Sequence, residues 1–333
     1  MKVIFAGSPG IAVPSLLELS EMECSGEDIE LAGLLTNPDS SQGRSSVPLA
    51  TEVSIAAARL SNLRQQQGFP PILQLKYEKL DKKAREEIAA MGFDLLISFA
   101  YGRIFGQKFL SIFPKGGINI HPSLLPRYRG PSPIPAAILA RDMETGITIQ
   151  KLALKIDTGD ILAQETISID PKETSASLSE KVSCKAAEML RSFMLRFLAG
   201  PVQAVAQQGE PVYCSLIDKE QGIINWDLSA LEIDAQVRAY TPWPLCYTRW
   251  KGEDLYILEG CVNQKSGDIF PGFTNRQTGT VLGIDMEHGI QIQTGDGIYL
   301  VSRLQRQAKK ALDWKAFLNG ARDFVGSRLL SAR

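Results

Sequence analysis

Two patterns in the sequence predict an α/β protein: a doubly wound, mostly parallel sheet followed by a small β-barrel, OB-like domain. In the first part, short apolar runs alternate with amphipathic segments of helical period. This β-α-β-α order folds as a parallel sheet with helices on both faces. From about Tyr213 the period changes to short β-like pieces between turns such as LysGlyGluAsp, GluHisGly and GlyAspGly, which is the pattern of a small barrel. The length of 333 residues allows two domains, since single cores stop growing at about 250–300 residues.

Taken in order, residues 3–6 read as a buried strand, 12–19 as a helix, 30–35 as a strand and 54–64 as a helix. Residues 71–74 are short and extended, 80–91 form a charged amphipathic helix, and 94–99 a strand. Sheets of this kind bind ligands beyond the carboxyl ends of their strands. Residues 7–10, 100–102 and 119–121 all fall at such ends. The first turn, GSPG, is not a dinucleotide fingerprint, and the second strand ends in Thr36-Asn37 with no acidic residue for a ribose. Residues 175–198 read as a helix with Leu178, Val182, Ala186, Met189, Phe193 and Phe197 on one core-facing stripe, stopped by Ala199-Gly200-Pro201. Residues 200–213 are polar and broken by Gly and Pro, and are expected to link a domain over 1–199 to one over 214–333. In the latter, β-like pieces fall at 247–250, 255–259, 280–283, 290–293 and 298–304. Trp243, between two prolines, is expected to anchor packing.

Composition is that of a globular protein, 44% hydrophobic and 22% charged. No apolar run approaches the ~18–20 residues of a membrane span, so no membrane association is expected. The chain opens directly on a core strand, which predicts no signal peptide. Five cysteines, odd in number and without a C-x-x-C pair, suggest reduced thiols and a cytoplasmic protein. A net charge of −1 argues against general coating of nucleic acid.

The chemistry centres on GGINIHPSLLPRYRGPSPI at 116–134, which holds one of the two histidines. Strand alternation puts Ile118 and Ile120 on one face, and Asn119 and His121 on the other. Pro122 ends regular pairing, and Pro126, Gly130, Pro131 and Pro133 fix the loop that follows, with Pro133 placed to open a helix. A histidine at a strand end is by default a satisfied polar residue. Next to an amide, however, it can hydrogen-bond an oxygen that turns negative as a carbonyl is attacked. Downstream, KIDTGD at 155–160 puts Asp157 in a turn between apolar runs at 147–154 and 161–169. Its default is a turn aspartate bonding its own backbone. Near a histidine it would hold an imidazolium or shuttle its proton. No cluster of His, Cys and carboxylates has metal-ligand spacing, so no metal is expected.

Asn119-x-His121, SLLPRYRG and the DTGD turn together resemble the signature of the 10-formyltetrahydrofolate-dependent formyltransferases. FAGSPG at 5–10, TNPDSSQGR at 36–44, FAYGRI at 99–104, ETGITI at 144–149, RAYTPWP at 238–244 and TGDGIYL at 294–300 extend the likeness over nearly the whole chain. The resemblance implies a Rossmann-like catalytic domain and a C-terminal tRNA-binding domain. The implied reaction is formyl transfer to the α-amino group of methionine esterified to initiator tRNA. 10-Formyltetrahydrofolate serves as donor substrate, with no tightly bound cofactor, and the enzyme is expected to be monomeric. Asn119 and His121 would stabilise the oxyanion, and Asp157 would orient the imidazole. The folate would lie against Phe99, Ala100, Tyr101, Gly102, Ser123, Leu124, Leu125, Pro126, Ile156, Thr158 and Gly159.

In the resembled family the loop over 36–51 is long and basic and contacts the acceptor end of tRNA. Here its only charges are Asp39 and Arg44, so Arg44 would carry that contact. From Leu300 onward eight basic residues face only Asp313 and Asp323. Arg306, Lys309 and Lys310 are therefore expected on a phosphate-contacting face. Two other readings remain open: a UDP-amino-sugar formyltransferase, which shares the Asn/His/Asp set, and a non-enzymatic RNA-binding protein, which would not bind folate.

Overall fold

A computed structural model describes residues 1–41, 47–263 and 277–331. The chain divides into two compact units. The first comprises Met1–Pro133, Glu144–Ser168 and Ser179–Ser215, the second Ile134–Met143, Ile169–Leu178 and Leu216–Arg333.

The first unit carries strands β1 (Lys2–Ala6), β2 (Glu30–Thr36), β3 (Ser40–Ser41), β4 (Pro48–Leu49), β5 (Leu73–Lys76), β6 (Leu95–Phe99), β7 (Gly117–His121), β8 (Glu144–Lys151) and β9 (Ile161–Ser168). Helices α1 (Val13–Cys24), α2 (Glu52–Gln66), α3 (Lys82–Ala90) and α4 (Gln107–Leu110) lie in the same part of the chain, followed by α5 (Pro133–Leu139) and α6 (Ser175–Ala199). Seven strands form one sheet in the order β5-β2-β1-β6-β7-β8-β9. The strands from β5 to β7 pair in parallel. β8 and β9 pair antiparallel, an edge on an otherwise parallel sheet. The central strands are continuous apolar runs because both of their faces are covered: Val3, Ile4, Phe5 and Ala6 are fully buried, as are Leu95, Leu96 and Ile97. On one face, Tyr101, Phe105 and Phe109 stack in succession and Phe113 meets Phe109 edge-on, within a core that includes Ile4, Leu35, Leu96 and Phe93. Thr51 and Asp81 cap α2 and α3 by accepting from Ser54 N and Ala84 N.

Residues 200–213, expected to be a linker, run along the first unit as extended chain. Val205 exchanges both main-chain hydrogen bonds with Ile161 (2.7 and 2.8 Å), and Val212 accepts from Arg129 N at 2.9 Å.

The second unit contains α7 (Ala230–Ala239), opened by a Ser229/Glu232 capping box, and α8 (Trp314–Asn319). Its strands are β10 (Cys246–Trp250), β11 (Glu253–Val262), β12 (Val281–Asp285), β13 (Gly289–Gln293), β14 (Ile298–Arg306) and β15 (Leu312–Asp313). They form an antiparallel sheet in the order β10-β11-β14-β13-β12, with β15 on β14. The two end strands are joined through the C-terminal segment. Arg249 of β10 bridges Leu330, and Thr280, just before β12, bridges Arg328. Among the described residues these bridges bring the C-terminal segment against both end strands, in keeping with the barrel expectation. Trp226, Trp250, Phe317 and Phe324 fill the interior. Trp243 does not anchor packing as expected. It is 50% exposed, and Trp226 and Trp250 occupy the core instead. Among the described residues no helix is long and apolar enough to cross a membrane.

Candidate active site

β7 lies between β6 and β8, so its carboxyl end opens where the parallel part of the sheet meets the antiparallel edge. Ile118 and Ile120 are buried, while Asn119 keeps some exposure. Asp157 reaches the same place from the turn between β8 and β9. His121 Nδ1 lies 3.4 Å from Asp157 Oδ2. Asn119 Nδ2 lies 3.4 Å from Asp157 Oδ1. The fold thus brings together the three residues that the sequence pattern singled out.

The other imidazole nitrogen, Nε2, is 2.9 Å from the Tyr128 carbonyl. A carbonyl and a carboxylate both only accept, so the single proton of the neutral ring goes to the closer contact, Nε2 towards Tyr128, and Nδ1 gains its proton, facing Asp157, when the ring is charged. Burial pushes the His121 pKa below its usual range, opposed by Asp157 and the Tyr128 carbonyl, which favour the cation. The Asp157 carboxylate has two shorter contacts that the sequence did not suggest. Gln150 Nε2 donates to Oδ1 at 2.8 Å, and Gly130 N donates to Oδ2 at 2.9 Å. Asp157 itself adopts a left-handed φ of 53°. Gly159, two residues on, is confined by the Lys151 carbonyl, which occupies the space a Cβ would need.

The residues expected against folate divide by accessibility. Phe99, Tyr101, Ser123 and Leu125 have buried side chains, and Gly159 is buried too. Tyr101 belongs to the aromatic stack, and Ser123 Oγ donates to the Arg127 carbonyl. The side chains of Phe99, Tyr101, Ser123 and Leu125 are therefore turned into the protein rather than to solvent. Ala100, Gly102 and Ile156 are exposed, and Leu124, Pro126 and Thr158 are part-exposed.

Arg44 lies outside the described residues. In the second unit, Lys309 and Lys310 are exposed after β14, with Arg306 at its end. Arg306, however, pairs with Glu253 at 2.8 Å and lies over the Trp250 ring. Arg303 pairs with Glu259 at 2.9 Å, and Lys251 pairs with Asp323. Arg303 and Arg306 of the C-terminal segment are thus matched by acids from β11, distant in sequence, while Lys251 from outside the segment takes up its Asp323.

An Asn/His/Asp group at the carboxyl end of a doubly wound sheet, with a separate antiparallel domain, defines the class. A model described as formyl transferase matches residues 1–193, and one described as formyl transferase, C-terminal domain, matches 216–322. The chain belongs to the formyltransferase family. More particularly, it is 44% identical over 98% of both chains to the methionyl-tRNA formyltransferase of Treponema denticola. It is 37% identical over 99% of both chains to that of Treponema pallidum. Among solved structures, WlaRD, a sugar 3N-formyl transferase in the presence of dTDP and 5-N-formyl-THF, superposes with a TM-score of 0.62 at 18% identity. That match covers 93% of this chain and 99% of that one. HypX from Aquifex aeolicus in complex with tetrahydrofolic acid gives 0.61 at 15% identity, covering 98% of this chain and 48% of that one. At these identities the structural likeness concerns the fold.

Proposed function

We propose that the protein transfers a formyl group from 10-formyltetrahydrofolate to the α-amino group of methionyl-tRNA, as a cytoplasmic monomer. The observation that carries this reading is the match to methionyl-tRNA formyltransferases along the full chain, both domains included. The site geometry supports a mechanism. The free amine attacks the formyl carbon, and Asn119 Nδ2 donates to the oxygen that becomes negative. Preorganised donors of this kind contribute about 2.7–4 kcal/mol each.

Neutral His121 is poised to take the proton that the attacking nitrogen sheds, because Nδ1 is its unprotonated nitrogen. The imidazolium so formed is bracketed by Asp157 and the Tyr128 carbonyl, and its positive charge stabilises the oxyanion held by Asn119. Collapse of the tetrahedral adduct returns the proton to the departing folate nitrogen. Folate would bind against the main chain at 99–102 and 123–126 and the accessible faces of Ile156 and Thr158. The domain over 214–333, with Lys309 and Lys310, would hold tRNA phosphates, and Arg44 would meet the acceptor end.

The test supplies 10-formyltetrahydrofolate with either methionyl-tRNA or a UDP-amino sugar and follows which one is formylated. Formyl-methionyl-tRNA as the product is expected. Formylation of the sugar alone would transfer the protein to the sugar-modifying branch. Failure to bind folate would leave an RNA-binding protein.

A further inference from the structure

Residues 205–213 cross the first unit as a strap in which Gln207 is the one residue that is not exposed. Its side chain reaches the turn that carries Asp157. Gln207 Nε2 lies 2.9 Å from the Asp157 carbonyl, 2.8 Å from the Gly159 carbonyl and 3.4 Å from Gln150 Oε1. Its Oε1 accepts from Arg129 Nε at 3.1 Å and Nη2 at 2.7 Å. Gln150, buried in β8, donates to Asp157 Oδ1 at 2.8 Å and accepts from Gly159 N at 3.2 Å. Arg129 precedes Gly130, whose N–H takes the other carboxylate oxygen.

We infer that Gln150 and Gln207 form an amide clamp that sets the Asp157 carboxylate against His121. They would thus be positioning residues for the acid–base step of formyl transfer. The inference rests on the functional reading above. The physical argument is one of distances. The shortest contacts of the carboxylate, 2.8 and 2.9 Å, come from Gln150 and Gly130, while the reacting partners Asn119 and His121 stand off at 3.4 Å. The carboxylate is therefore held from outside the reacting set and keeps capacity for an imidazolium. Asp157 also holds a left-handed conformation, which persists only where its surroundings over-determine it. Gln207 does this through the Asp157 carbonyl. A side chain that only filled space would not need a donor and an acceptor together, and Gln207 uses both.

The experiment compares wild type with Q150L, Q207A and Q150E. Q150L and Q207A should lose about 10–10²-fold in kcat, the scale of a small misplacement at a reacting centre, with the KM for either substrate changed far less. Q150E supplies a readout that a merely structural role would not move. When protonated, the introduced carboxyl donates to Asp157 as the native amide does; when ionised, it repels the carboxylate. The kcat of Q150E relative to wild type should therefore fall as pH rises, while that of Q150L relative to wild type stays flat.

A second readout needs no substrate. The chain has two histidines, so the side-chain nitrogen resonances of His121 are separable from those of His288, and in Q150L they should shift while those of His288 stay. Wild-type kcat in Q150L and Q207A, a loss confined to KM, a flat Q150E ratio or unmoved His121 resonances would overturn the clamp. A wild-type protein that forms no formyl-methionyl-tRNA would count against the functional reading, with the resonances still deciding the clamp. Should Q207A fail to fold, the near-isosteric Q207E, which keeps the acceptor for Arg129 and loses the donor to the Asp157 carbonyl, should show the same loss of kcat, and a wild-type kcat there would overturn the clamp.

Discussion

At the scale of residues, His121 is the group whose protonation matters most, and its surroundings set two expectations. Its folded pKa is depressed by burial, so between the folded value and the unfolded value of about 6.5 the unfolded chain binds more protons. Stability is therefore fully present above about pH 6.5 and falls as pH drops through the folded pKa. Urea midpoints measured over a pH series should show this loss in wild type and a shallower one in His121→Gln. Equal slopes would mean that the imidazole is as easily charged in the fold as out of it. Turnover should respond more sharply. His121→Ala and Asp157→Asn should each cost about 10²–10⁴-fold in kcat, with tRNA affinity little altered because these groups meet the reacting centre and not phosphates. Asn119→Ala should reduce kcat more than it raises KM, since its amide bonds the tetrahedral oxygen more strongly than the planar formyl. A change confined to KM would reduce Asn119 to a substrate-positioning role.

At the scale of elements, the turn between β8 and β9 is the most constrained piece of the site. Gly159 has no room for a side chain, because a Cβ would collide with the Lys151 carbonyl. Gly159→Ala must displace the strand end or the turn, and should cost about 1–3 kcal/mol of stability, the usual range for overpacking. It should also lower kcat, since Asp157 moves with the turn. Denaturant unfolding and steady-state kinetics on one preparation check both; a stable variant with normal turnover would show that the turn can relax without moving Asp157. A second element-scale feature is the C-terminal segment that joins β10 to β12. Removing Ser327 and everything after it deletes the Arg328 and Leu330 bridges and exposes two strand edges. Concentration-dependent association of the truncated protein, seen by sedimentation, is the expected outcome.

At the scale of the whole molecule, the question is how charge is distributed for RNA. Neutralising Lys309 and Lys310 together should flatten the log–log salt dependence of tRNA binding by about 1.4–1.8, at roughly 0.7–0.9 for each of two phosphate contacts. Arg306→Gln should flatten it by less than one contact, because Arg306 already pairs with Glu253. An Arg306 variant that matched the lysine pair in slope would mean that Arg306 leaves Glu253 for a phosphate on binding.

The sequence by itself determined the fold class and the Asn119, His121 and Asp157 set, whereas the short β-like pieces expected from about Tyr213 begin only at Cys246, after helix α7. Each of these is written in local terms. Periodicity sets strand and helix, Pro122 marks where pairing ends, and motif spacing puts polar residues at strand ends. Only the tertiary structure decided the rest, because it depends on groups distant along the chain. Gln207 looked like one polar residue in a broken stretch, and nothing local tied it to Asp157, fifty positions earlier. Gln150 looked like one polar residue in an apolar strand. Trp243, between two prolines, had the look of a packing anchor, yet Trp226 and Trp250 took the interior. The basic run after Leu300 looked unopposed until β11 was laid beside β14 and brought Glu253 and Glu259 against Arg306 and Arg303. Strand register is a long-range property, so the net charge of a surface, unlike that of a segment, is known only once the strands have paired.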